Sequence, residues 1–276
     1  MKKLGIIAGN GVLPAAVIEA CRTMRRPFFV LALRGHAAPD LLPKDIPIHW
    51  VRLGAVGESF RACRAAGVQE VVLIGAVKRP GLWEVRPDWT GLKVLARVGL
   101  NKHGDDGLLR RVIREIERAG FRVVGVDSIL PALKAVKGVY GKAAPTKADL
   151  RDIQKGFGAA KILGKADIGQ GVVVQQGLVL AVEAIEGTAE MIARAGALKR
   201  AGGGGVLVKA AKPHQEKRVD LPTIGPQTIQ SLSDAGLRGV AVEAGGALIA
   251  DAEKTVALAD KLGIFVVGAE GESCKH

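Results

Sequence analysis

Short apolar runs alternate with helical periodicity along the first half of the chain. Residues 4–8 (Leu-Gly-Ile-Ile-Ala) form a continuous apolar run, and the turn Gly9-Asn10-Gly11 closes it before a helical pattern at 15–24. The pattern predicts further strands at 28–33, 51–53, 71–75 and 121–126, and helices at 57–66, 92–100 and 105–119. In the last of these, Leu108, Leu109, Val112, Ile113 and Ile116 recur at helical spacing, with Arg and Glu between them. Continuous Val/Ile/Leu runs separated by helices predict a parallel sheet covered on both faces. The expectation for residues 1–132 is a Rossmann-like, doubly wound parallel α/β domain.

Residues 133–146 break this rhythm, with Lys134, Lys137, Gly138, Gly141, Lys142 and Pro145, and read as a linker. A second α/β domain is expected over 147–276. Its pattern predicts helices at 147–163, 223–235 and 251–262, and another opening near Thr188, a good N-cap residue. Strands are expected at 172–174, 178–183, 206–209, 240–243 and 264–267. Gln175-Gln176-Gly177 between the first two suggests a hairpin. The run Gly202–Gly205 is too short for a tether and suggests a mobile loop.

Charge and composition narrow the picture. The 276 residues carry a formal net charge of +13, spread along the chain, which favours an anionic partner without naming it. Aromatic residues make up 4%, so stacking platforms for single-stranded nucleic acid are scarce, and nucleic acid is not the expected partner. The three cysteines, Cys21, Cys63 and Cys274, show neither disulfide nor zinc spacing, which fits a reducing cytoplasm. The apolar runs are far shorter than the roughly 18 residues that span a bilayer. A cytoplasmic protein, at most peripheral to a membrane, is expected.

One segment concentrates chemistry: residues 209–225, Lys-Ala-Ala-Lys-Pro-His-Gln-Glu-Lys-Arg-Val-Asp-Leu-Pro-Thr-Ile-Gly. Pro213 and Pro222 interrupt regular structure. Lys209, Lys212, Lys217 and Arg218 surround Asp220. Cations beside an acid suit a phosphate-bearing ligand, the acid being free to hold a metal or activate water; a solvated basic loop is the alternative. The Gly9-Asn10-Gly11 turn suits a phosphate at a helix start, or is a simple turn. Pro14 replaces the third glycine of the dinucleotide fingerprint, and Arg34 stands where a ribose-binding acid is expected, so NADP is favoured over NAD. Lys78 and Arg79 follow the fourth strand, at the end where open parallel sheets bind ligands. Asp105 and Asp106 either cap a helix or leave one oxygen donor for a divalent ion. Gln170 precedes one strand and Glu183 ends the next. In its apolar surroundings Glu183 either faces outward or needs a cation, a metal or a proton.

Taken together, residues 4–14, 104–110, 167–171, 177–188 and 209–225 resemble the UDP-2,3-diacylglucosamine pyrophosphatases of lipid A biosynthesis, in the two-domain form with a Rossmann-like N-terminal half. The resemblance spans about residues 1 to 270, and the last stretch is the specific one. It implies a metal-dependent hydrolase that splits UDP-2,3-diacylglucosamine into UMP and 2,3-diacylglucosamine 1-phosphate (lipid X). It implies that Asp220 is the essential aspartate and that water attacks the phosphorus on the sugar side.

The resulting expectation places the substrate between the domains. Asp220, helped by Glu183 and by Asp105 or Asp106, holds Mg2+ or Mn2+. Lys212 and Arg218 steady the pyrophosphate. Gly9, Asn10, Gly11, Lys78, Arg79, Gln170, Thr188, Gln215 and Thr223 contribute to substrate binding. The positive charge suits transient contact with the anionic inner leaflet of the inner membrane, and a homo-oligomer is compatible with the sequence. An NADP-dependent reductase and a nucleotide or RNA binder are the alternatives.

Overall fold

The computed structural model describes residues 1–77, 87–98, 105–213 and 216–271, apart from the side chains of Val98, Asp105 and Asp106. The chain divides into two compact units, Met1–Pro131 and Ala132–His276.

In the first unit, β1 (Leu4–Ala8), α1 (Leu13–Thr23), β2 (Phe28–Leu33), β3 (Ile48–Val51), α2 (Val56–Ala65), β4 (Glu70–Ile74), α3 (Trp89–Val98), α4 (Asp105–Arg118) and β5 (Arg122–Val123) follow in order. The sheet runs β3-β2-β1-β4-β5, and every pairing is parallel. The doubly wound order expected from continuous apolar runs is present. Leu4, Ile6, Ala8, Val30 and Ala32 are fully buried, because strands covered on both faces need no polar side. β3 lies three residues earlier than the pattern suggested, and β5 is shorter. At both places pairing with a neighbouring strand decides the limits.

The second unit contains β6 (Gly138–Tyr140), α5 (Lys147–Lys165), β7 (Gly171–Gln175), β8 (Leu178–Val182), α6 (Thr188–Ala197), β9 (Val206–Lys209), β10 (Thr223–Ile224), α7 (Pro226–Asp234), β11 (Gly239–Glu243), β12 (Leu248–Ile249), α8 (Ala252–Leu262) and β13 (Phe265–Ala269). Its main sheet runs β6-β13-β11-β9-β7-β8. β9, β11 and β13 are mutually parallel, while β6, β7 and β8 join antiparallel to their neighbours. Alternate side chains of the central strands build two cores. Val172, Val174, Val206 and Val208 meet Ile153, Phe157 and Ala160 of α5. Val173, Leu207, Val240 and Val242 meet Met191, Ile192 and Ile229 on the opposite face. α5 starts at a capping box, with Thr146 accepting from the Asp149 N–H and Asp149 accepting from the Thr146 N–H. At Gly156 the helix presses so close to β9 that a Cβ would lie 2.4 Å from Val208.

Three expectations change. Within 133–146, Gly138–Tyr140 pairs antiparallel with β13, so this stretch supplies an edge strand of the second sheet. The helix expected over 223–235 begins at Pro226, because Thr223 and Ile224 pair with Leu248 and Ile249. The glycine loop is tied down, since the Gln175 side chain donates to the carbonyls of Arg200 and Gly203. All four of its glycines have positive φ, a conformation that side-chain-bearing residues rarely adopt.

Candidate functional site

The carboxyl ends of β8, β9 and β11 and the start of β7 meet at one edge of the second sheet. Register fixes this meeting: Lys209 pairs with Gly171 and with Val242, and the Glu183 N–H donates to the Gly171 carbonyl at 2.8 Å. Chain direction therefore brings Glu183, Lys209 and Glu243 to the same edge.

Lys209 is only 4% exposed, and Glu183 8%. The Lys209 Nζ donates to Thr188 Oγ1 at 2.7 Å, and Thr188 Oγ1 donates to Glu183 Oε1 at 2.5 Å. Lys209 Nζ lies 3.8 Å from the same Glu183 oxygen. Burial pushes the Lys209 ammonium below the usual lysine range, and the nearby charges of Glu183 and Asp220 oppose that shift. Two carboxylates thus act on one buried cation. Glu183 Oε2 has no hydrogen-bond partner among the described atoms. It lies under Gly171, where a Cβ would come within 2.6 Å of it. Gly171 is small because the carboxylate fills that space.

The segment after β9 is held by similar pairs. The Ala211 N–H donates to Glu243 Oε2 at 2.8 Å, and Lys161 Nζ reaches Glu243 Oε1 at 2.5 Å. Lys212 Nζ donates to Asp167 Oδ1 at 2.6 Å. Arg218 donates through Nε and Nη2 to the two Glu216 oxygens, each at 2.9 Å. The N–H groups of Val219 and Asp220 both donate to the Glu216 carbonyl, which sets Asp220 on a turn. Beyond it, the Leu248 N–H donates to the Pro222 carbonyl, and Thr223 lies in β10.

The expected site residues that the structure describes can now be placed. Asp220 and Glu183 both act on Lys209, and Thr188 joins them. Thr188 is not the N-cap of α6. Gly187 caps it with a φ of 83°, and the Thr188 hydroxyl is spent on Glu183. Glu183, expected as a metal ligand, accepts from Thr188 and faces Lys209 through Oε1. Lys212 and Arg218 are engaged by Asp167 and Glu216, so an anion there would compete with carboxylates. The Gln170 carbonyl accepts from the Ala210 N–H at 3.0 Å. Lys78, Arg79 and Gln215, and the side chains of Asp105 and Asp106, lie outside the described residues. Among the described residues, no three His, Cys, Asp or Glu side chains converge to hold a metal.

In the first unit, the turn after β1 is laced to the segment that follows β4. The Gly9 N–H donates to the Ile74 carbonyl, the Asn10 N–H to the Ala76 carbonyl, and the Gly11 N–H to Asn10 Oδ1. A Cβ on Gly9 would lie 2.6 Å from the Ala76 carbonyl oxygen. Glycine is needed there because two chain segments touch, and these three amides are already used. Arg34 Nε donates to the Trp50 carbonyl at 3.3 Å.

Sequence reasoning missed Lys209 as a buried counter-ion, and missed Asp167, Glu216 and Glu243 as partners of basic residues. A local signal existed: Val206-Leu-Val-Lys and Leu178–Glu183 each end an apolar run in a charge.

Two family models cover nearly the whole chain: the LpxI N-terminal domain matches residues 3–133 and the LpxI C-terminal domain residues 136–267. The chain belongs to the LpxI family. It is 44% identical over 277 residues, 98% of each chain, to the UDP-2,3-diacylglucosamine pyrophosphatase LpxI of Caulobacter vibrioides. The junction between the two LpxI models, near 133–136, falls beside the boundary between the compact units. The LpxI C-terminal match takes in β6, in accord with its place in the second sheet.

Proposed function

We propose that this chain hydrolyses the pyrophosphate of UDP-2,3-diacylglucosamine to UMP and 2,3-diacylglucosamine 1-phosphate, in lipid A biosynthesis. The observation that carries this reading is identity over nearly the full length to a relative named for that activity. In the reaction a water oxygen bonds to the phosphorus on the sugar side. The bridging P–O bond breaks, and its electron pair leaves on UMP.

Asp220 is the residue proposed to act on the water, orienting it and accepting its proton at a carboxylate oxygen. Its setting supports the role. A turn on the Glu216 carbonyl holds its backbone on one side, and β10 pairing holds the segment on the other. The Asp220 charge reaches the buried Lys209 ammonium. Lys212 and Arg218, released from Asp167 and Glu216, are proposed to meet pyrophosphate oxygens through charge-assisted hydrogen bonds.

Mg2+ is the proposed cofactor. Such an ion is commonly held by one or two carboxylates together with substrate phosphates, rather than by an all-protein cage. The two carboxylates gathered around Lys209, Asp220 and Glu183, suit that donor set. Asp220 would hold the ion, which when bound lowers the pKa of water and neutralises phosphate charge.

The test is UMP release from UDP-2,3-diacylglucosamine with Mg2+, with and without a chelator, beside Asp220→Ala. Release that is sensitive to chelator and lost in the variant, with substrate binding kept, is the expected result. Full turnover by Asp220→Ala would remove it from the chemistry. Turnover unaffected by chelator would remove the metal.

A further inference from the structure

The amino ends of the strands in the first unit carry a basic surface that the proposed chemistry does not use. Register brings it together: Leu4 pairs with Phe28 and Glu70, and Glu70 pairs with Arg122. The residues just before these strands therefore lie side by side. Backbone bonds lace them: the Leu4 N–H donates to the Pro27 carbonyl, the Gln69 N–H to the Lys3 carbonyl, and the Arg122 N–H to the Gln69 carbonyl.

One carboxylate, Glu70, sits at the centre. Arg26 pairs with it at 2.6 Å, and both side chains are largely buried, so that pair is neutral and structural. Arg26 also donates to the Lys2 carbonyl, which anchors the start of the chain segment. Lys2 and Arg122 approach the same carboxylate only at 3.9 and 3.6 Å, with 56% and 70% of their side chains exposed. Lys3 and exposed Arg25 add two further cations. Lys2, Lys3, Arg25, Arg26 and Arg122 against the single Glu70 leave these residues a net excess of four positive charges. The flanking cations have acids of their own: Arg22 pairs with Glu19 and Asp45, and Arg118 shares Glu115 with Arg97. Beside Arg25, Met24 is 39% exposed, although it ends an otherwise buried helix face.

We infer that this face, formed by Lys2, Lys3, Arg25 and Arg122 with Met24, rests on an anionic phospholipid bilayer. The charge is complementary to a negatively charged leaflet, where each basic residue near the surface adds about a factor of five in affinity. A group of cations with an exposed apolar side chain suits an interface in which the head groups are anionic and the layer beneath is apolar. The scarcity of aromatic residues speaks against single-stranded nucleic acid as the occupant. The inference deepens the proposed function and rests on it for the reason the protein meets a bilayer: an acylated substrate resides there.

The test is co-sedimentation of the full chain with vesicles of phosphatidylethanolamine and phosphatidylglycerol, against phosphatidylcholine vesicles. It needs no substrate, so it is read apart from hydrolysis. Binding to the anionic vesicles that falls with salt is expected. Replacing Lys2, Arg25 and Arg122 together by Gln should weaken it about a hundredfold, and Arg25→Gln alone about fivefold. Replacing Arg151, Lys155 and Lys261 by Gln changes net charge equally at exposed sites of the second unit, and should alter binding little. Equal loss in both triple variants would overturn the inference. So would equal binding to phosphatidylcholine, or no binding by the unaltered protein. UMP release by the first variant on detergent-dispersed substrate shows that it is folded, and its loss there with vesicle binding retained would count against this face as the docking surface.

Discussion

The Lys209 ammonium donates to the Thr188 hydroxyl at 2.7 Å, and that hydroxyl passes the contact on to Glu183 at 2.5 Å. A strand end, a helix start and a neighbouring strand end are joined through one buried charge. Because Lys209 also feels Asp220, the network links the core of the second unit to the residue proposed for chemistry.

Lys209→Met should therefore be costly. It leaves Glu183 buried without its cation, and removing one partner of a buried pair costs about 3–5 kcal/mol. Lys209→Met/Glu183→Gln together should recover part of that loss, because no unpaired charge remains. Urea unfolding of the three proteins measures both effects. A double variant no more stable than Lys209→Met would show that the pair is not the source.

The same lysine gives stability a pH dependence with a definite sign. Its folded pKa is lowered by burial, so between that value and the ordinary lysine value of about 10.4 the unfolded chain binds more protons. Stability then rises with pH through that window as the desolvation cost is relieved. Unfolding free energies of the parent and Lys209→Met, measured through the alkaline range, should differ by this slope. Parallel curves would count against it.

Gly9→Ala should destabilise the first unit by about 1–3 kcal/mol, the usual scale for forced overpacking. The new methyl would meet the backbone oxygens of Ala76 and Gly75 at 2.6 and 2.8 Å, and backbone cannot yield as a side-chain tip does. Thermal unfolding should show the loss without any ligand present. A variant of unchanged stability and weakened substrate binding would instead assign the glycine to ligand approach.

Cys21 and Cys63 are buried free thiols. Burial outweighs the neighbouring Arg64 and pushes the Cys63 thiol up to about 11; burial raises Cys21 as well. Both should resist alkylation at pH 8 in the native protein and label quickly in urea, as mass spectrometry of the peptides would read. Because the folded state keeps the Cys63 proton longer than the unfolded chain, that group lowers stability as pH rises above about 8.5. Rapid native labelling of Cys63 would refute its burial.

Sequence determined the layers. Apolar runs such as 28–33 and 206–208 became largely buried strands, the second ending in Lys209, because a strand covered on both faces takes apolar residues on both. The Gln175–Gly177 turn was legible too, since residues at positive φ mark hairpins. Asp220 stood out from its neighbours alone.

Tertiary structure decided pairings between distant residues. β6 has no apolar alternation and is a strand only because β13 lies beside it. Thr223 and Ile224 leave the helical pattern because Leu248 and Ile249 accept them. Above all, Glu183 and Lys209 are 26 positions apart in the chain, and only the register through Gly171 makes them partners. Local periodicity records which residues avoid water. It does not record which charge will be buried against which, because that choice is made by chain direction and strand order.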